Sequence, residues 1–94
     1  MSKKIYKGSW WFNNRRKHPA YIIKSNNKDY FELRILSHSK KYIDDIELLI
    51  NPNPNDNSKA YIQKKKYVET NKKPFGKKLS KFKLSNHDKK KLKK

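Results

Sequence analysis

The sequence predicts a mostly β fold: a small barrel of short strands followed by a short C-terminal helix and a basic tail. Three observations lead there. Short apolar and aromatic runs (IYKGSWWF, PAYII, YFELRIL, DDIELLI, AYIQ and KYVET) recur at close spacing. Polar segments rich in Asn, Ser, Pro and Lys (NNRRK, SNNKD, SHSKKY and NPNPNDNS) separate them. The helix-start signal falls late, around Ser85 and Asn86. Short strands with punctuated turns are the pattern of small β barrels. With 94 residues of which 33% are hydrophobic, the chain makes one thin core that relies on aromatic rings. The barrel is expected over 1–75 and the lysine-rich helix and tail over 76–94.

Taken in order, residues 5–12 suit a strand, with Gly8 marking a bulge or close approach. NNRRK at 13–17 reads as a hairpin loop. Pro19 fits the first residue of the next strand, PAYII at 19–23, and SNNKD at 25–29 is a turn. YFELRIL at 30–36 alternates, placing Tyr30, Glu32, Arg34 and Leu36 on one face and Phe31, Leu33 and Ile35 on the other. SHSKKY at 37–42 is a polar loop. DDIELLI at 44–50 is a strand or one helical turn, with the strand preferred. NPNPNDNS at 51–58, with two prolines and four asparagines, excludes regular structure. AYIQ and KYVET form a further extended stretch, and KKPFGKK breaks the pattern. From Ser85 onward Asp88 suits the first turn of a helix whose lysine-rich end repels itself.

Charge narrows the function. Lys and Arg number 26 against 8 acids, a formal net charge of +18. Residues 1–60 carry 12 basic and 6 acidic side chains, whereas residues 61–94 carry 14 and 2. Such a field draws polyanions at long range, and nucleic acid is the expected partner. Three of the basic residues are arginine. Lysine contacts phosphate as a point charge and reads base edges poorly, which favours backbone binding over duplex readout. Trp10, Trp11 and Phe12 are consecutive, so on a strand they cannot all face one core. One tryptophan is expected near the surface, with Trp11 a candidate to stack on a base beside Arg15 and Arg16, unless barrel and dimer contacts cover both faces. Tyr21, Tyr30 and Tyr42 are further candidate platforms. Lys17, Lys40, Lys41, Lys64, Lys65, Lys66, Lys77 and Lys78, with the tail at 89–94, are candidate phosphate contacts.

Other classes lack support. The chain has no cysteine, so disulfides and thiolate metal sites are excluded. Three histidines without tight spacing argue against a metal centre, and two glycines cannot supply a phosphate-cradling loop. No cofactor is expected. No apolar run approaches the roughly 18 residues that cross a bilayer, and no secretory leader is evident, so a soluble cytoplasmic protein without membrane partners is expected.

The order of motifs resembles that of the PemK/MazF-like toxin endoribonucleases. YKGSWWF resembles their opening strand and RRKHPAYII their arginine–proline–aliphatic signature. RILSHSKK stands where a strand ends in a serine or threonine, and IELLINP where the next strand follows. AYIQKKKYVET is similar to a later strand running into a Glu-containing turn, and FKLSNHDKKKLKK to the terminal helix. The resemblance covers most of the chain. It implies an SH3-like barrel, a homodimer, and metal-independent cleavage of single-stranded RNA served by an arginine beside the proline, to which Arg16 is the nearest arginine here, and by a hydroxyl residue, here Ser37 or Ser39. This sequence has His18 immediately before Pro19, where the family has arginine.

Metal-free RNA cleavage needs a base for the 2′-hydroxyl proton, an acid for the leaving oxygen and cations for the phosphorane charge. His18 and His38, both in polar segments at expected strand ends, suit the first two tasks because histidine titrates near neutrality. Arg15, Arg16 and Lys40 would supply charge, and Ser37 or Ser39 a hydrogen bond to phosphate. His87 reads as a solvated group near the helix start. The expected function is therefore nucleic-acid binding, RNA favoured over DNA, by a toxin-like endoribonuclease. The alternative is a non-catalytic basic protein of a mobile element that binds RNA, DNA or a nucleoprotein complex and blocks it. A ribosome-associated protein is a third reading. A protein partner that neutralised this charge would be acidic.

Overall fold

The computed structural model describes residues 4–26 and 29–92. Residues 27 and 28 of the SNNKD turn and residues 93 and 94 of the tail lie outside the described residues. The strands are β1 (Trp10–Asn13), β2 (His18–Ser25), β3 (Phe31–Ser37), β4 (Ile46–Glu47), β5 (Tyr61–Ile62), β6 (Tyr67–Glu69) and β7 (Phe75–Lys78). One helix follows, α1 (Asn86–Leu92). The protein is thus mostly β, an antiparallel open sheet in the order β4-β5-β3-β2-β1-β7. β3 is long enough to hold two partners along one edge. Its start pairs with β6, Phe31 opposite Glu69, and its end with β5, Leu36 opposite Ile62.

Local chemistry explains the hairpin that joins β1 to β2. The buried Asn13 side chain accepts the Arg16 backbone N–H at 2.9 Å, and its carbonyl accepts that of Lys17 at 2.7 Å. Lys17 turns back in the left-handed region, φ 58°. Such side-chain-to-backbone bonds are how Asn sets a turn. The same Asn13 donates to Glu69 Oε2 at 3.2 Å, tying β1 to β6 by side chains. Gly8, at φ 89°, redirects the chain ahead of β1 and donates to the Ile22 carbonyl at 2.8 Å. The strand expected over 5–12 therefore begins at Trp10.

Two apolar cores lie on opposite faces of the sheet. One contains Ile5, Trp11, Ala20, Ile22, Phe31, Leu33, Ile35 and Phe75. The other contains Trp10, Leu36, Leu48, Ala60, Ile62 and Leu84, with Tyr21, Leu79, Phe82 and Leu92 packed against it. Adjacent residues on a strand point to opposite faces, so each tryptophan enters a different core. This corrects the expectation of a surface tryptophan. Trp10 is 3% and Trp11 5% exposed, and neither offers a face to a base. Trp11 packs edge-on to Phe75 with centroids 6.5 Å apart, and Trp10 lies 4.9 Å from Tyr21 and 5.7 Å from Phe82.

The second core exists because the C-terminal segment folds back. KKPFGKK, expected to interrupt the pattern, instead supplies β7, whose Lys78 pairs with Trp11 of β1. The expected boundary after residue 75 thus falls inside a strand. DDIELLI contributes two strand residues only, since the buried Asp45 accepts the backbone N–H groups of Lys41 and Tyr42 at 2.8 and 2.9 Å and holds a turn there. AYIQ and KYVET form two separate short strands rather than one. Helix α1 starts as expected: Ser85 Oγ accepts the Asp88 N–H at 3.2 Å, an N-cap bond. Asp88 is fully buried and accepts the backbone N–H groups of Leu49 and Ile50 at 2.9 and 3.2 Å.

Candidate nucleic-acid interface

The antiparallel register pairing Ala20 with Ile35 brings the start of β2 alongside the end of β3. His18, Ser37 and His38 consequently line one small cavity of about 70 Å³, together with Asn53, Asp56 and Phe82. His38 Nε2 lies 2.7 Å from Asp56 Oδ2. Asp56 is placed by the asparagine-rich loop. Asn51 Oδ1 accepts the Asn53 N–H, Asn53 Oδ1 accepts the Asn55 N–H, and Asp56 Oδ1 accepts both the N–H and the hydroxyl of Ser58. Consecutive Asx turns of this kind fix a loop without regular structure. The Ser58 bonds, with a smaller contribution from His38, hold the Asp56 carboxyl down at about 2. It therefore faces His38 as a carboxylate across the neutral range. A His–carboxylate pair beside a second histidine can accept and return protons. A space this small takes only a small anionic group, so any nucleotide would lie across its mouth.

The other expected cleavage residues are elsewhere. Arg16 does not line this cavity; its guanidinium stacks on the Tyr67 ring, 4.0 Å from the centroid. Ser37 donates its hydroxyl to the Ser39 carbonyl at 2.9 Å, while Ser39 itself is exposed outside the cavity lining.

Tyr67 gathers a second cluster. Lys65 Nζ lies 5.1 Å from the same ring, so the β1–β2 hairpin and the turn of residues 64–66 converge there. Arg15 Nε pairs with the buried Glu69 carboxylate at 3.2 Å while its side chain remains 58% exposed. Lys17, Lys64, Lys65 and Lys66 are all exposed. On β7 the exposed Lys77 and Lys78 stand together, and Lys78 lies 4.9 Å over the ring of Tyr6. Tyr6, 54% exposed, is an accessible aromatic face that no pattern in the sequence singled out. Lys40 and Lys41 are exposed in the loop after β3, with Lys41 near Tyr42. Tyr21 packs on Trp10, and the Tyr30 hydroxyl donates to Glu32 Oε2 at 2.7 Å.

A third feature is a groove of about 740 Å³, whose lining includes Lys7, Lys24, Glu32, Arg34, Lys66 and Lys89. Arg34 is 7% exposed, and burial lowers its pKa from the ordinary value. Its Nε and Nη1 have no hydrogen-bond partner among the described residues. The alternation of YFELRIL put Arg34 on the face opposite Phe31, Leu33 and Ile35, which line the first core. A second core on that face is what buries it.

Most of the carboxylates are engaged within the protein, and Asp45, Glu69 and Asp88 are buried. Five of the eight, Glu32, Asp45, Asp56, Glu69 and Asp88, take hydrogen bonds from tyrosine, asparagine, serine or backbone donors. Among the described residues no group of three or more His, Asp or Glu side chains is arranged to hold a metal ion, and no helix is long and apolar enough to cross a membrane. The chain matches no known protein-family model, no characterised protein and no solved structure.

Proposed function

We propose that the protein binds single-stranded nucleic acid, RNA in preference to DNA, on a small β barrel of the SH3-like kind, and needs no cofactor to do so. One observation carries this reading: five of the eight acids accept internal hydrogen bonds, so the lysine excess at the surface is left largely uncompensated and attracts phosphates. The cluster around Tyr67 suits a flexible strand. A guanidinium held over an aromatic ring presents a cationic platform, and Lys65 stands beside it.

A second reading, cleavage, draws on the cavity that joins His18, Ser37, His38 and Asp56. In that reaction one histidine takes the 2′-hydroxyl proton and the 2′ oxygen bonds to phosphorus. The P–O5′ bond then breaks as the second histidine protonates the leaving oxygen, giving a cyclic phosphate and a 5′-hydroxyl end. DNA, lacking the attacking hydroxyl, would be spared. Homodimer formation and an acidic antitoxin-like partner belong to this toxin-like reading. Arg16 would have to leave Tyr67 to reach a phosphorus held at this cavity, which favours binding over cleavage.

Labelled single-stranded RNA incubated in EDTA with the wild type and with His38→Ala tests both readings on one pair of gels. A native-gel shift is expected with both proteins at micromolar concentration and moderate salt; absence of any shift overturns the binding reading. Discrete fragments made by the wild type and lost in His38→Ala would establish cleavage. RNA intact after prolonged incubation at high protein concentration ends that second reading.

A further inference from the structure

Trp10, Tyr21 and Arg34 are successive partners across β1, β2 and β3, so they form one row on the face of the second core. The first two are packed together there. The third carries a guanidinium that stays ionised at any pH the folded protein meets, buried to 7% exposure with Nε and Nη1 unpaired among the described residues. A buried cation without a partner is strongly unfavourable, and an anion bound against it would offset that cost. Among the described residues the one carboxylate lining the groove does not do so, since Glu32 takes the Tyr30 hydroxyl and makes no ion pair with Arg34. Around it Lys7, Lys24, Lys66 and Lys89 add four more cations.

We propose that Arg34 forms the floor of a phosphate-binding site, and that the groove draws in one phosphate group of the bound nucleic acid. This rests on the nucleic-acid reading and gives it a fixed point. Most lysine contacts on this surface are exposed and exchangeable, whereas a guanidinium held within the sheet defines where a phosphate sits. Lys66 lines the groove and also belongs to the exposed turn of residues 64–66, so a strand passing the Tyr67 cluster has a continuous cationic path into it. The shared chemistry, a phosphate oxyanion, could equally be presented by free phosphate.

The test compares wild type with Arg34→Met, Arg34→Lys and, for general loss of charge, Lys59→Gln, an exposed lysine outside the groove. Affinity for a labelled single-stranded RNA is read by anisotropy at constant salt, and melting temperature by circular dichroism. Arg34→Met is expected to weaken binding about tenfold or more while melting as high as wild type or higher, because an unpaired buried cation has been exchanged for an apolar chain of similar length. Lys59→Gln should cost no more than about threefold. Arg34→Lys should fall between, keeping charge without the guanidinium. Binding by Arg34→Met within threefold of wild type overturns the site. So does failure of that variant to fold, or a lower melting temperature, since either gives Arg34 a structural role. If wild type binds no RNA, the nucleic-acid reading falls, and melting in inorganic phosphate against chloride of equal ionic strength decides what remains. Phosphate protection that Arg34→Lys reduces would keep the site with free phosphate as its source. Equal effects on both proteins would remove it.

Discussion

Asp88→Ala is expected to lower the melting temperature by about 12–24 °C, the loss of about 3 kcal/mol from a domain of this size. The Asp88 carboxylate is fully buried and accepts the N–H groups of Leu49 and Ile50, at 2.9 and 3.2 Å. Those donors follow β4 and Leu48, a second-core residue. On the other side, Asp88 lies three residues past the Ser85 cap, in the first turn of α1. Removing it leaves two backbone donors unpaired and detaches the helix from the sheet edge, and each hydrogen bond to a charged group is worth roughly 1.5–3 kcal/mol. Lys91, whose Nζ donates to the Glu47 carbonyl at 2.9 Å, is a weaker second tie. The pH dependence has a definite sign. Burial pushes the Asp88 carboxyl up, but the bonds from Leu49, Ile50, Ser85 and His87 outweigh it, and the net pKa is lowered. A depressed carboxylate contributes stability above its unfolded value near 3.9, and that contribution is lost as pH falls through the folded value. The gap between wild type and Asp88→Ala should therefore narrow below about pH 4. Melting curves for the two proteins at pH 7 and pH 3 check this, and a difference under about 4 °C at pH 7 would contradict the pinning role.

Some of this arrangement was legible in the residues, and the division is physical. The β1–β2 hairpin and α1 are encoded locally, by Asn13 turning the chain and Ser85 capping the helix, so pattern reading finds both. The core face of β3 follows from its alternation. β7 does not, because FGKK has no apolar period and becomes a strand only by pairing with β1. The burial of Trp10 depends on Phe82 and Leu84 returning from far along the chain to make a second core, and that of Trp11 on Phe75 of β7 joining the first. Alternation placed Arg34 on the face away from Phe31, Leu33 and Ile35 but gave no sign that it is buried there. At the candidate site, His18 and His38 stood out as polar strand-end histidines. Asp56 did not, since its position arises from the Asx turns of residues 51–58 folding over the end of β3; an aspartate inside an Asn–Pro run was the available signal.

Affinity for single-stranded RNA should fall about 300-fold between 50 and 200 mM salt. Arg16 and Lys65 lie over Tyr67 from two turns that also carry Arg15, Lys17, Lys64 and Lys66. If about six phosphates are neutralised there, the logarithmic slope against salt is about −4, because single strands release roughly 0.7 counterion per contact. The triple variant Lys64→Gln, Lys65→Gln, Lys66→Gln should flatten that slope by about 2 and leave the melting temperature within a few degrees, since all three side chains are exposed. Removing residues 76–94 would not be an equivalent experiment despite their charge. Lys78 pairs with β1, Leu84 is in the second core and Asp88 pins the sheet edge, so truncation would unfold the domain and abolish binding for the wrong reason. Titrations of wild type and triple variant at four salt concentrations separate the outcomes. A flat salt dependence in the wild type would mean that phosphate contacts do not drive association. A steep slope that the triple variant retains would move the interface away from Tyr67, toward the Lys77–Lys78 face of β7, where Tyr6 offers the exposed ring.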